Sequence, residues 1–335
     1  LPNTFGLPSV AARAWIVRDE NRLGECAASL DRHDPPPLVL GGASNVILCE
    51  RVPQPVILMR NRGLRLEPTG HGAALLHVAA GEPWHDVVRF ALGQGFGGLE
   101  NLALIPGSAG AAPIQNIGAY GIEIAECIET VRVFDLRAGR MASWSAADCG
   151  FAYRDSRFKR PEAAGLVVTG LVLRLAKDRR VRVDYPDLAL ELERMGCAHP
   201  GPVQVADAVI RIRRRKLPDL RTIGNVGSFF HNPTVTAAAA SELRRQLPRL
   251  VAHPQADGRV KLAAGQLIDE AGWRGYRAGS VGVWRRQALV LVNHGGATAS
   301  ATLALADSIA RGVMDRFGVT LTREPRVVGP DASVG

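Results

Sequence analysis

Cysteine is scarce in this chain, and what there is stands apart. Five residues in 335, Cys26, Cys49, Cys127, Cys149 and Cys197, form no C-x-x-C pair and sum to an odd number. That pattern argues against a disulfide framework and for reduced thiols in a cytoplasm. Cys127 and Cys149 read as buried apolar fillers rather than nucleophiles. Long apolar runs are missing too: none reaches the roughly 20 residues that span a bilayer, so no membrane partner is expected. The opening "LPNTFGLPSVAARAWIVRDE" has no basic region leading into an apolar stretch, and no export signal is expected. The eight histidines show no H-E-x-x-H or paired-ligand spacing, so the sequence calls for no metal, and His231 beside Asn232 reads as a cleft-wall residue. There is no internal repeat.

Acidic residues are also in short supply, 32 against 41 Lys and Arg, for a net charge of +9. The surplus favours an anionic partner: nucleic acid, a membrane surface or a phosphorylated small molecule. Its densest part, "RIRRRKLPD" from Arg211 to Asp219, reads as the basic last turn of a helix stopped by Pro218. Such a turn is either a solvated helix end or an anion contact. A nucleic-acid-binding module would use clustered surface aromatics or a groove-reading signature, and neither is present, so no nucleic acid is expected.

What is there is a chain of ordinary globular composition, 47% apolar and 22% charged, long enough for two or three compact units. Residues 1–65 carry short β-rich runs punctuated by Gly and Pro, at 38–40, 46–48 and 56–59. Residues 66–215 open with the strand "AALLHVAAG", continue with a helix carrying Pro83 in its first turn and ended by Gly95, and add strands at "CIETVRVFD" and "GLVVTGLVLRLA". Residues 216–321 read as an α/β unit with helices near 236–247, at "LAAGQLIDEAG" and at "TASATLALADSIARGVMDRFG", before a final strand "VTLTREPRVVG" in the returning segment 322–335.

Several stretches carry chemistry. "GGASN", Gly41, Gly42, Ala43, Ser44 and Asn45, follows a strand and can present successive N–H groups to an anion, or be no more than a turn. It lacks the spacing of a P-loop or a dinucleotide fingerprint. "GLENLALIPGSAGAAPIQNIGAYG", 98–121, combines small residues that let main chain lie flat on a planar ligand with the amides of Gln115 and Asn116 and the ring of Tyr120. A loop of that length inside a compact unit is usually functional. In "FAYRDSRFK", Arg154 is either a surface ion-pair partner of Asp155 or a neighbour, or a planar fork for a carboxylate. Ser228 in "GNVGSFFHNP" is either a turn former or a proton donor; G-x-S-x-G and a nearby His/Asp order are absent, which excludes acyl transfer.

Taken in order with "KLAAGQLIDEAG" and the terminal "EPRVVG", these motifs resemble the UDP-N-acetylenolpyruvoylglucosamine reductase family over nearly the whole chain. The resemblance implies an α+β protein: a vanillyl-alcohol-oxidase (PCMH) type FAD-binding fold in two subdomains, 1–65 with 322–335 and 66–215, plus a substrate-binding domain, 216–321. It implies FAD held non-covalently, with the pyrophosphate along Gly41 to Asn45 and the ring near Gln115, Asn116, Gly118, Ala119 and Tyr120. It departs from the family at Ala43, Ala111 and Ala112. By the same resemblance Arg154 faces the substrate carboxylate, Glu324 returns to the site, and Tyr185, in the setting of the longer subtype's mobile tyrosine, covers the substrate with Lys216, Asn232 and Gln287 as further contacts. The implied reaction passes hydride from NADPH to UDP-N-acetylglucosamine enolpyruvate in a cytoplasmic monomer, with Ser228 as the proton source. The runner-up keeps the flavin fold and changes the substrate.

Overall fold

Continuous apolar sequence marks the strand that is covered on both faces. In Leu166–Ala176 every residue from Val167 to Leu173 is buried, as expected where both sides of a sheet are packed. Leu171 and Leu173 enter a large core shared with the helix Trp84–Gly93, while Val167 enters a smaller one with Val17, Leu23, Ile57 and Phe134. The strand is the centre of a five-stranded antiparallel sheet in the order Arg140–Ser145, Ile128–Asp135, Leu166–Ala176, Ala73–Ala79, Leu64–Gly70. The computed structural model describes residues 1–31 and 33–330; the last part of the returning segment, 331–335, lies outside the described residues.

The helix Trp84–Gly93 buries Trp84, Val87, Val88 and Ala91, a helical stripe. Pro83 precedes it as N-cap, and Trp84 Nε1 donates to the Leu102 carbonyl at 3.0 Å. Three short parallel strands, Ala14–Val17, Val56–Met59 and Leu38–Leu40, form a second sheet. These elements belong to one compact unit, 11–42 with 54–213.

The other unit comprises 1–10, 43–53 and 214–335, so the compact units cross the expected boundary at residue 65. Its four-stranded sheet runs Gly224–Ser228, Val290–Asn293, Val281–Val283, Arg277–Ala278. The helix Ala299–Phe317 is capped by Thr298, whose Oγ1 accepts from Ala301 N, and ends at Gly318 in the left-handed conformation. The expected strand 319–329 is regular only at Arg326–Val328, where it pairs in parallel with Val46–Leu48. Pro325 just before it has no N–H to give a ladder. Arg140–Ser145 is a strand without an apolar alternation, because pairing with Ile128–Asp135 supplies what its own sequence does not.

Candidate functional site

In the unit 11–42 with 54–213, two glycine-rich stretches lie against each other. A Cβ added to Gly42 would stand 2.8 Å from Gly107 Cα, and one on Gly110 would stand 2.5 Å from Ala80 Cβ. Main chain approaches here at a separation only glycine permits. Gly41 faces Ser108, whose Oγ would lie 1.8 Å from an added Cβ. Ser108 is 6% exposed, and its Oγ has no hydrogen-bond partner among the described residues. A buried hydroxyl left in that state costs free energy unless a ligand completes it. The residues present fit a phosphate-bearing cofactor lying on this surface.

Farther along the loop, Asn116 is fully buried and its amide is spent inside the protein. Nδ2 donates to Glu123 Oε2 at 2.7 Å and to the Ala152 carbonyl at 3.1 Å, and Oδ1 accepts from Ala125 N at 3.1 Å. Asn116 therefore shapes the loop, and a cofactor contact from it falls to its main chain. Its φ of 43°, with 49° at Tyr120 and 53° at Arg154, places three non-glycine residues in the left-handed region, at about 1–2 kcal/mol each. Strain held in place by surrounding bonds is a mark of functional loops.

Arg154 is tied to this loop. Its Nη2 donates to the Gly118 carbonyl at 2.5 Å and Nη1 to the Asn116 carbonyl at 3.4 Å. A Cβ on Gly118 would fall 2.9 Å from the Ile122 carbonyl oxygen as well as 2.9 Å from Arg154 Nη1, and the fixed backbone contact accounts for the glycine. Asp155 is engaged by Arg160. Gln115 and Ala119 are half-buried beside these residues in the chain.

Tyr120 meets Tyr185 edge to face, with ring centroids 5.3 Å apart at 83°. Tyr185 is 43% exposed and caps the helix Pro186–Arg194. Burial raises the Tyr120 phenol above its ordinary pKa, with Arg213 opposing in part; burial, then Asp187, raises that of Tyr185. Both phenols keep their protons at neutral pH. Arg213 is the residue the sequence reading did not single out. Its side chain hydrogen-bonds Tyr120 and donates from Nε to the Leu104 carbonyl at 3.2 Å, and burial pushes its guanidinium below the usual value. The signal was there in spacing: Arg213 stands four residues after Val209, at the margin of the buried stripe Val205, Ala208, Val209 and Ile212 on the helix Pro202–Lys216. Arg211, Arg214 and Arg215 are exposed, as a solvated helix end would be.

In the unit 1–10, 43–53 and 214–335, a bulge aims Ser228. Asn225 pairs with Val292 and Ser228 with Val290, so one extra residue is inserted, and Gly227 takes a φ of 74° to absorb it. Phe229 N then donates to the Leu289 carbonyl at 2.8 Å. The half-buried Ser228 hydroxyl makes no hydrogen bond with the described residues. The next residues pair with the returning segment: Glu324 N donates to the Phe229 carbonyl at 2.9 Å and His231 N to the Thr322 carbonyl at 3.0 Å. His231 Nδ1 lies 3.7 Å from Glu324 Oε2, a neighbour the cleft-wall reading of His231 left out. Ala43 is buried with a φ of 48°, its carbonyl accepting from Thr4 N, and Asn45 Nδ2 reaches the Glu324 carbonyl at 3.5 Å. Ser44 is half-buried between them in the chain.

Asn232 and Gln287 each have one amide end committed. Asn232 Oδ1 accepts from Ala264 N at 3.0 Å, and Gln287 Oε1 accepts from Leu289 N at 3.4 Å. The Lys216 carbonyl accepts from Trp284 Nε1 at 3.0 Å. Burial pushes the Cys127 thiol up to about 11 and that of Cys149 up to about 12, consistent with apolar fillers. Among the described residues no cluster of His, Cys, Asp and Glu could hold a metal ion, and no helix is long and apolar enough to cross a membrane.

Comparison with known proteins covers both units. A family model described as UDP-N-acetylenolpyruvoylglucosamine reductase, C-terminal domain, matches residues 218–328, and one described as FAD binding domain matches residues 11–144. The UDP-N-acetylenolpyruvoylglucosamine reductase of Paraburkholderia phytofirmans is 47% identical over 325 residues, covering 96% of this chain and 94% of that protein. That of Pseudomonas aeruginosa is 44% identical over 325 residues, covering 97% of this chain and 96% of that protein. The crystal structure of the Thermus caldophilus enzyme (MurB) aligns with a TM-score of 0.68 at 25% identity, covering 98% of this chain and 96% of that one.

Proposed function

The chain belongs to the UDP-N-acetylenolpyruvoylglucosamine reductase family, and from that premise we propose how its own residues divide the work. It is an FAD-containing oxidoreductase of α+β fold that uses NADPH to reduce UDP-N-acetylglucosamine enolpyruvate to UDP-N-acetylmuramate, a peptidoglycan precursor. Bound FAD supplies the two-electron hydride chemistry that no side chain can perform.

Gly41 and Gly42 with Gly107 to Gly110 form the close-approach surface for the cofactor, and Ser108 Oγ offers it a hydroxyl. Gln115, Asn116 through its main chain, Gly118, Ala119 and Tyr120 would hold the ring of FAD, and Ala43, Ser44 and Asn45 would hold its pyrophosphate together with Gly41 and Gly42. When hydride reaches the terminal carbon of the enolpyruvyl group, electron density moves toward the substrate carboxylate and the adjacent carbon gains carbanion character. Arg154, already oriented by two loop carbonyls, stabilises that charge, since a preorganised cation in a water-poor site acts far more strongly than in bulk. Ser228 gives its proton to the adjacent carbon: an unassisted hydroxyl is a weak acid, but an enolate is basic enough to take it when geometry is fixed. Glu324, whose Oε2 lies 3.7 Å from His231 Nδ1, is the third catalytic group of this reading.

Lys216, Asn232 and Gln287 hold the sugar nucleotide. The two amides contribute their free NH₂ ends, which suit acceptor oxygens. Tyr185, exposed and set edge-on against Tyr120, is the ring that covers bound substrate, as in the longer subtype. NADPH and the sugar nucleotide bind in turn, giving ping-pong kinetics. The five free thiols suit a reducing compartment such as the cytoplasm, and the chain acts as a monomer in this reading. The division of the chain into 1–65 with 322–335, 66–215 and 216–321 belongs to the same reading.

The observation that carries this reading is the Arg154 guanidinium bonded to the carbonyls of the Asn116–Gly118 loop. Anaerobic mixing tests it. NADPH should bleach the flavin absorbance of the yellow protein, and addition of UDP-N-acetylglucosamine enolpyruvate should restore it. A protein that takes up no FAD, or a reduced flavin left untouched by the sugar nucleotide, would overturn the assignment.

A further inference from the structure

From Ala271 to Ala306 the chain has four arginines and no carboxylate. Two of them, Arg285 and Arg286, sit exposed at the tip of the turn joining the strands Val281–Val283 and Val290–Asn293. The turn is stiff: Trp284 N donates to the Val290 carbonyl at 2.8 Å, Gln287 N to the Trp284 carbonyl at 3.2 Å, and Val290 N to the Gln287 carbonyl at 3.1 Å. It is also docked. Trp284 Nε1 donates to the Lys216 carbonyl and Arg286 Nη1 to the Arg215 carbonyl at 3.3 Å, so the turn satisfies the last acceptors of the helix Pro202–Lys216. The docking brings the backbone of Arg215 and Lys216 to Arg286 and Trp284.

Among the described residues no carboxylate pairs with Arg285 or Arg286. Arg285 lies over the Trp284 ring at 6.0 Å, and Arg286 makes only its backbone bond. The nearby Asp219 is taken by Arg221 through bonds of 2.6 to 3.1 Å. Two always-charged planar forks on a rigid turn, one residue from Gln287, form a receptor for a phosphate monoester, whose charge of about −2 rewards paired guanidinium groups more than a diester does. Of the two nucleotides the enzyme uses, NADPH has a monoester, its 2′-phosphate, and the sugar nucleotide has only a diphosphate.

We propose that Arg285 and Arg286 bind the 2′-phosphate of NADPH and set the preference for NADPH over NADH. This rests on the NADPH reading given above. Stopped-flow anaerobic reduction of the FAD-loaded full chain by each nucleotide tests it. In the R285Q/R286Q variant the second-order rate constant for NADPH should fall about 10- to 100-fold, and that for NADH less than about twofold. Because Arg286 also supports a helix end, R285Q alone, which removes no hydrogen bond, should still lower the NADPH-to-NADH ratio about 3- to 10-fold. Calorimetry with NADP⁺ and NAD⁺ gives a readout without turnover, and only the former should weaken. An unchanged ratio overturns the proposal, whether both nucleotides slow together, as diphosphate recognition requires, or neither slows, as solvated surface charge requires. Wild-type flavin left oxidised by NADPH overturns the NADPH reading as well.

Discussion

Gly42 and Gly227 are both glycines in functional turns, and they are there for different reasons. At Gly42 the space is already filled, since an added Cβ would stand 2.8 Å from Gly107 Cα. At Gly227 the space is open, with nothing within 4 Å of an added Cβ, and the demand is the φ of 74°. The first glycine lets two backbones approach closely, where the proposed reading lays the cofactor's pyrophosphate. The second turns a strand so that one hydroxyl leaves the ladder. On the proposed reading one region acts through main-chain shape and the other through a single side chain, and their sensitivities to substitution should differ accordingly.

The sharpest break concerns that side chain. In Ser228→Ala the reoxidation of reduced flavin by UDP-N-acetylglucosamine enolpyruvate should slow by roughly 10²- to 10⁴-fold, because a general acid is removed. Reduction by NADPH should be nearly unchanged. If the two half-reactions slowed together, Ser228 would be a structural residue and the contrast between the regions would disappear.

Next in size are the glycines themselves. Gly42→Ala overpacks backbone against backbone and should cost about 1–3 kcal/mol, read as weaker FAD retention in a fluorescence titration. Gly227→Ala forces an L-residue into the left-handed region, at about 1–2 kcal/mol, read as a lower melting temperature. Asparagine separates the two causes. It tolerates a left-handed φ, so Gly227→Asn should recover part of the loss, whereas Gly42→Asn should be worse than Gly42→Ala. Equal behaviour of the two Asn variants would show that the distinction between space and dihedral is wrong.

The smallest effect probes the packed side of the contrast. Cys127 and Cys149, buried with thiols near 11 and 12, carry little thiolate at pH 8 and should stay unmodified by iodoacetamide while the half-buried Cys197 labels. Peptide mass spectrometry reads the order. Early labelling of Cys149 would mean that the core beneath the five-stranded sheet opens in the native state.

Much of the site was legible because its demands are local. The 98–121 loop announces itself by small residues and glycines whose purpose is close approach, and the helices Trp84–Gly93 and Ala299–Phe317 by Pro83, Thr298 and a regular apolar stripe. Arg213 was half legible, through its place beside a buried stripe, but its bond to Tyr120 was not. The expected strand 319–329 shrank to Arg326–Val328 because its apolar pattern said nothing about where a partner strand would lie. The split between the two compact units was invisible in composition, since 43–53 groups with residues more than a hundred and sixty positions later.

Sequence by itself therefore determined the family and its FAD-binding and reductase domains, and it marked a glycine-rich loop, a hydroxyl, an arginine and two apolar-set thiols as candidates. Tertiary structure alone decided which of those groups is aimed. Arg154 is oriented by carbonyls 36 and 38 residues away, and Ser228 by a bulge measured against the strand Val290–Asn293. Local spacing encodes backbone preferences within a few residues, whereas a side chain's direction is fixed by partners the chain meets only after it has folded back on itself.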